Sequence, residues 1–338
     1  MYKAGRTTPA LAGDEQATGV AAIDLSIVIV TWNAREYTRE CLESLAQQSA
    51  VLTMETIVVD NASADGTPEM IGEEFPHVRL LRNSSNLGFA KANNIGIRSS
   101  RGKYVCLVNS DVNVPGECLR KMHTYMEQNP KVGVLGPRMM DRRGLALRSY
   151  MRFPSVWNCL CNSLALDQLF KGSRLFGGTM MTDFDNRNTG EVDVLNGWFL
   201  MIRRDALNEV GLLDERFFMY GEDIDWSYRF YKAGWKRVYF AAAAALHYGG
   251  ASSANAPRQF YIEMRRANLQ LWRKHHAGIT TPAYLVILWL HEVVRVLGHG
   301  ALYLLRRSER PQEAFKIGRS LACMSWLLGA RSTAAQVR

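Results

Sequence analysis

Short apolar runs rich in β-branched residues recur along the first third of this chain, and each ends in polar, turn-forming residues. They are S-I-V-I-V-T (26–31), E-T-I-V-V-D (55–60), V-R-L-L (78–81) and K-Y-V-C-L-V-N (103–109). Helical patterns lie between them. Residues 36–48 put Tyr37, Cys41, Leu42 and Leu45 on one face, and a second helical segment covers 89–99. Continuous apolar strands alternating with helices specify an α/β fold, a mostly parallel sheet with helices on both faces. Ligands of such sheets sit beyond the carboxyl ends of the strands. Those ends carry Thr31-Trp32-Asn33, Asp60-Asn61 and Asn109-Ser110-Asp111.

After K-V-G-V-L-G-P (131–137), residues 141–190 are weakly patterned and read as a lid or an acceptor-facing insertion. Regular structure returns with V-D-V-L-N-G-W-F-L-M-I-R-R (192–204). A helix after Gly221, stopped by Gly234, and a strand ending near His247 follow. Residues 1–24, rich in Ala, Gly and Thr, read as a flexible tail without the apolar core of a signal peptide. The 338 residues are 47% hydrophobic and 22% charged, which excludes a collagen-like or wholly disordered chain. Six cysteines without any C-x-x-C spacing read as reduced thiols rather than a disulfide framework or zinc site.

Several residues at these strand ends could carry chemistry. Asp60 opens D-N-A-S-x-D-G-T and could accept a hydrogen bond from the ring N–H of a pyrimidine, or simply form an Asx-turn. Asp111, beyond the most apolar strand, suits a divalent cation bridging a diphosphate, since Mg²⁺ or Mn²⁺ takes one or two protein carboxylates plus phosphate oxygens. A turn aspartate is the structural alternative. G-E-D-I-D-W-x-x-R (221–229) packs three acids into a helix start. They suit the helix dipole, and Asp225 with Arg229 fits an i, i+4 ion pair. Glu222 and Asp223 remain as candidate bases, because adjacent buried acids resist joint ionisation. His247, in L-H-Y-G-G-A-S, could complete a metal site.

The order of these segments says more than any one of them. T-W-N, D-N-A-S-A-D-G-T, N-L-G-F-A-K-A-N-N-I-G-I (86–97), N-S-D, L-N-G-W-F-L-M-I-R-R, G-E-D-I-D-W and H-Y-G-G-A-S follow one another between residues 25 and 275. The series resembles the inverting family 2 glycosyltransferases, especially their rhamnosyltransferase-like branch. The resemblance implies a GT-A, Rossmann-like domain over 25–275 that binds a nucleotide-diphospho-sugar and a divalent metal, Mg²⁺ or Mn²⁺. It implies donor contacts at Thr31, Asn33, Asp60, Asn86, Gly88, Lys91, Asn94 and Asn109. Asp111 and His247 would hold the metal; Asn196, Gly197 and Trp198 would form the acceptor side. Asp223 matches the base, with Glu222 beside it. Asn109 departs from the D-x-D triplet of many relatives, leaving one carboxylate for the metal.

The implied reaction is transfer of a hexosyl unit, L-rhamnose from dTDP-rhamnose, to a hydroxyl of a lipid-linked surface glycan. UDP-linked sugars would meet Asp60 equally well. A nucleotidyltransferase would need a glycine-rich basic loop near its first strand, and residues 26–36 contain no glycine. An inactive scaffold would be expected to have lost E-D or N-S-D; both are retained.

The net charge of +9 is concentrated at the end of the chain, where residues 259–338 hold 12 Lys and Arg against four Asp and Glu. Residues 276–338 therefore read as a basic, amphipathic helical region. Residues 283–305 would span ~35 Å as a helix, enough for a bilayer core of ~30 Å. His291, Glu292, Arg295 and His299 draw a polar stripe along it that opposes crossing. The expectation is a peripheral position on the cytoplasmic face of the membrane. The stripe would stay wet, with Leu288, Trp289, Val293, Val296 and Leu304 in the anionic interface. The interleaved apolar residues argue against nucleic acid as the partner; packing on the catalytic domain or in a homodimer is the other use of such a helix.

Overall fold

The computed structural model describes residues 23–48, 52–249 and 257–329. Nearly all of the expected 1–24 tail, and residues 250–252 of H-Y-G-G-A-S, lie outside these. The chain begins with β1 (Leu25–Thr31), α1 (Arg35–Ala46), β2 (Met54–Asp60), α2 (Thr67–Glu74), β3 (Arg79–Arg82), α3 (Phe89–Arg98) and β4 (Tyr104–Asn109). Order β3-β2-β1-β4 is parallel throughout, as the alternating runs predict. Short β5 (Val112–Asn113), α4 (Cys118–Gln128) and β6 (Val132–Met140) follow.

The second half closes the sheet differently. The 141–190 region holds β7 (Ala146–Leu147), β8 (Tyr150–Met151), α5 (Val156–Ser163) and α6 (Leu166–Leu169); β9 (Gly190–Glu191) and β10 (Val194–Leu195) come next. Then β11 (Phe199–Arg203) inserts antiparallel between β4 and β6. After α7 (Arg204–Val210) and α8 (Glu222–Lys232), β12 (Lys236–His247) pairs parallel with β6. Its register shifts between Phe240 and Ala244, and beyond that irregularity the strand end pairs with β5, setting His247 opposite Val112.

Helices cover both faces. On one side Cys41 and Leu42 of α1, Met70 of α2 and Met122 of α4 pack on Ile27, Ile29 and Cys106. On the other, Ile97 of α3, Leu207 of α7 and Trp226 and Phe230 of α8 pack on Val28, Val105 and Leu107. Gly221 and Gly234 bracket α8, both at φ +82°, a conformation that favours glycine.

The chain ends in α9 (Pro257–His275), α10 (Thr280–Leu305) and α11 (Arg310–Leu327). Helix α9 is shared between two clusters. Ala267 and Leu271 join Phe217 and Ile224 of the sheet domain. Leu269 and Trp272 join Tyr284 and Leu288 of α10. The polar stripe of α10 corrects the expectation, because it faces the protein rather than water. Glu292 is buried and accepts from Tyr261 (2.7 Å) and Arg265 (3.0 Å), and His299 lies 2.6 Å from the buried Glu313 of α11. Partners on α9 and α11 make that side the polar seam of a helical unit. Leu288 is buried with it, whereas Trp289 and Leu304 are exposed.

Candidate active site

The ends of β4, β11 and β12 and the start of α8 meet in one place. Asn109 N donates to the carbonyl of Trp198 at 2.9 Å, joining the N-S-D turn to the L-N-G-W segment. On one side of that bridge His247 Nε2 stands 3.2 Å from Asp111 Oδ1, and Tyr248 N donates to the Asp111 carbonyl. The Trp198 ring lies against His247, with centroids 5.5 Å apart. On the other side Gly197 N donates to Asp223 Oδ2 at 3.1 Å, and Ile224 N donates to Oδ1 at 2.8 Å.

The two acids at the head of α8 differ. Glu222 is buried, and its Oε2 has no partner among the described residues. Burial, then the charge of Asp223, pushes it well above the usual carboxylate range. Burial also raises Asp223, against the lowering effect of the N–H groups of Gly197 and Ile224. Asp225, one turn inside, is fully buried but saturated by Arg229 (3.0 Å) and His275 (2.6 Å). Hydrogen bonds from His275 and Lys274 outweigh burial there and hold its carboxyl below the ordinary value. It anchors α9 to α8.

The strand ends of β1 and β2 lie side by side, with Thr31 paired to Asp60. Asp60 is buried; its Oδ2 accepts from Ser63 N at 3.1 Å, while Oδ1 has no partner among the described residues. The Thr31 hydroxyl is shared with Thr38 at 2.7 Å and so ties β1 to α1. Asn33 Oδ1 accepts from Ala64 N, which locks the T-W-N turn to the D-N-A-S turn. Asn61 holds the next loop, with its amide donating to the Gly88 carbonyl and accepting from Asn83. Asn86 Oδ1 accepts from Gly88 N. Gly88 sits at φ +82°, where a Cβ would stand 2.4 Å from the Phe218 carbonyl oxygen; Phe89 N donates to that same oxygen.

Lys91 is exposed in the first turn of α3, three residues after Gly88. Asn94 is fully buried and bonds Leu213 through both amide atoms and Glu215 through its NH₂ group, so it braces the loop before α8. Asn196 N donates to the Ser149 carbonyl; its Oδ1 and that of Asn109 are buried without partners among the described residues. Sequence reasoning missed Arg142, whose guanidinium lies 4.2 Å from the ring of Tyr248, the residue after His247. The turn D-R-R-G (141–144) was its signal.

Among the described residues no three His, Cys, Asp or Glu converge on a point. Asp111 Oδ1 and His247 Nε2 are nevertheless spaced as neighbouring ligands of one divalent ion would be. Two neighbouring ligands at ~2.1 Å on an octahedral ion stand ~3 Å apart, and the remaining positions would be free for phosphate oxygens and water.

The sequence profile described as Glycosyl transferase family 2 matches residues 26–211. The chain is similar to the N-acetylglucosaminyl-diphospho-decaprenol L-rhamnosyltransferase of Mycobacterium tuberculosis, 28% identical over 265 residues, 75% of this chain and 85% of the relative. It is also similar to the low-salt glycan biosynthesis hexosyltransferase Agl10 of Haloferax volcanii, 26% identical over 61% of each chain. A mannosyltransferase of Pyrobaculum calidifontis, solved with GDP-Man and Mn²⁺, superposes with a TM-score of 0.54 at 16% identity. That match covers 92% of this chain and 91% of the other.

Proposed function

The chain belongs to glycosyl transferase family 2, whose members are inverting enzymes of the GT-A fold, and we propose that it moves L-rhamnose from dTDP-rhamnose to a hydroxyl of a lipid-linked surface glycan. The rhamnosyltransferase relative supports this donor and acceptor class. The observation that carries the reading is the bridge from Asn109 to Trp198. It sets a carboxylate–imidazole pair on one side and a carboxylate of raised pKa on the other.

The residues divide the chemistry as follows. Asp60, with one oxygen unpartnered among the described residues, accepts the ring N–H of the pyrimidine, and Asn33 and the Asn86–Gly88 loop, held by Asn61, shape the wall of the donor site. Asp111 and His247 would hold Mg²⁺ or Mn²⁺, which offsets charge growing on the leaving diphosphate. Asp223 takes the proton of the acceptor hydroxyl as it attacks C1 from the face opposite the diphosphate. Two N–H groups fix that carboxylate, so its orientation is set before the acceptor arrives. Asn196 to Trp198 form the floor beneath the acceptor. The enzyme works at the cytoplasmic face of the membrane.

Incubating the purified protein with a panel of dTDP-, UDP- and GDP-sugars and a short lipid-diphosphate acceptor, with and without Mn²⁺ or Mg²⁺, tests this reading. Metal-stimulated transfer from dTDP-rhamnose is expected. Transfer from another sugar nucleotide alone would overturn the donor assignment.

A further inference from the structure

A cavity of about 160 Å³ lies where α5, α9 and α10 meet, outside the site just described. We propose that it seats the phosphate-bearing head of the lipid-linked acceptor; the proposal rests on the acceptor reading above. Its chemistry is two-sided. Ile224, Leu271 and Leu288 give an apolar wall, and Arg265 and His291 give a nitrogen-rich end. His291 Nε2 is buried and unpartnered among the described residues. Burial first, then the charges of Arg265 and Arg295, brings that imidazole down to about 4, so at neutral pH it offers an uncharged N–H.

Behind this end the charges do not balance. Arg265, Arg295 and Arg319 surround a single buried carboxylate, Glu292, whose oxygens are taken by Tyr261 and Arg265. The Nε atoms of Arg295 and Arg319 are buried without partners among the described residues. Unpaired buried donors are costly, and an anion drawn to this end offsets the cationic excess around it. Guanidinium groups bind phosphate through parallel charge-assisted N–H bonds, and an uncharged imidazole N–H can add one more donor.

The placement identifies which phosphate. Ile224 follows the base Asp223 directly, and Met151, another lining residue, pairs with Val194, two residues before Asn196. The cavity thus adjoins the acceptor side of the active site. Its far wall is α10, whose opposite face is apolar and exposed at Val286, Leu297 and Leu304. A sugar at Asp223, its phosphate at Arg265 and His291, and a hydrocarbon chain leaving along α10 match the order of parts in a sugar-diphospho-lipid.

Binding of farnesyl diphosphate to the full chain tests this, read by calorimetry and by the fluorescence of Trp272, which lines the cavity. His291→Leu removes the free donor, and Asn268→Phe fills the space. Each is expected to weaken the probe about tenfold or more and to raise the acceptor KM while leaving donor KM unchanged. Farnesol is expected to bind at least about tenfold more weakly than the diphosphate, and phosphatidylglycerol vesicles to leave the probe bound. Wild-type affinity in both variants, equal binding of farnesol, or displacement by the vesicles would overturn the assignment, the last giving the cavity to bulk lipid headgroups. Nucleotide binding and slow donor hydrolysis, followed in the same samples, report on the glycosyltransferase reading separately. If they persist while the probe ignores the cavity, only the cavity assignment falls.

Discussion

The backbone N–H of Gly197 donates to Asp223 Oδ2 at 3.1 Å, so the segment proposed as the acceptor floor also aims the proposed base. Asp223→Asn keeps the shape and removes the basicity. Turnover is expected to fall ~10²–10⁴-fold while nucleotide affinity stays near wild type, since a base acts in the transition state. Single-turnover transfer and calorimetry on the same protein check both halves. An active Asp223→Asn beside an inactive Glu222→Gln would move the role to Glu222.

Both acids at the head of α8 titrate above their ordinary values, Glu222 well above, and this has a sign for activity and for stability. The base must be ionised, so the acid limb of the rate profile should lie above ~4, the usual carboxylate value. Between that value and the raised one the folded chain holds protons that the unfolded chain has released. This pair therefore makes stability fall as pH rises through the window. Glu222→Gln should raise the melting temperature at pH 7 and leave the acid limb near its wild-type position, because burial and not Glu222 raises Asp223. An acid limb that moves to lower pH would show that Glu222 carries its charge while Asp223 titrates.

Asp111 and His247 form one pair across two strand ends. Asp111→Ala and His247→Ala should each weaken metal-dependent binding of the nucleoside diphosphate and leave metal-free binding little changed. Calorimetry with and without Mn²⁺ distinguishes the two. Equal metal response in both variants would take them out of the metal site.

Gly88 has little freedom in the loop proposed to line the donor site. Its φ of +82° and the Phe218 carbonyl 2.4 Å from any Cβ mean that Gly88→Ala must shift the 86–89 turn. A cost of ~1–3 kcal/mol is expected from the backbone conformation alone, measurable by urea unfolding, together with weaker nucleotide binding. Wild-type stability would mean the turn relaxes freely.

The strand ends were legible because runs such as S-I-V-I-V-T can hardly be anything but buried strands, and their last residues then have one place to go. Long-range partners were not legible. Nothing in the spacing joins Asp225 to His275, fifty residues on, or commits the amide of Asn94 to Leu213. The stripe of His291, Arg295 and His299 shows why. A helical period reports that residues share a face but not what covers it, and here Tyr261 and Arg265 on α9 and Glu313 on α11 do.

Burying that stripe strengthens the case for membrane docking and changes its geometry. The side of α10 left outside is apolar, with Val286 67%, Leu297 67% and Leu304 72% exposed. Leu321 of α11 and Leu328 just past its end are exposed as well, and Arg306 and Arg307 stand exposed at the turn between the helices. Helix α10 is long and apolar enough to cross a bilayer by length and composition. Crossing would strip α9 and α11 from the buried Glu292 and leave its charge in hydrocarbon, which costs several kcal/mol. Lying flat buries the leucines in the interface, and each arginine near anionic lipid adds ~1 kcal/mol. A full-length Leu297→Asp/Leu304→Asp variant should fold normally, since both side chains are exposed, yet lose ~10²-fold or more in affinity for anionic liposomes. Glu292→Ala should do the reverse, unfolding the helical unit at a cost of ~3–5 kcal/mol by stranding Arg265. Cosedimentation at ~0.1 M salt, where surface charges are screened beyond ~10 Å, reads the first. Retention by the double variant, or resistance of the wild-type chain to alkaline carbonate extraction, would rule out docking through this face.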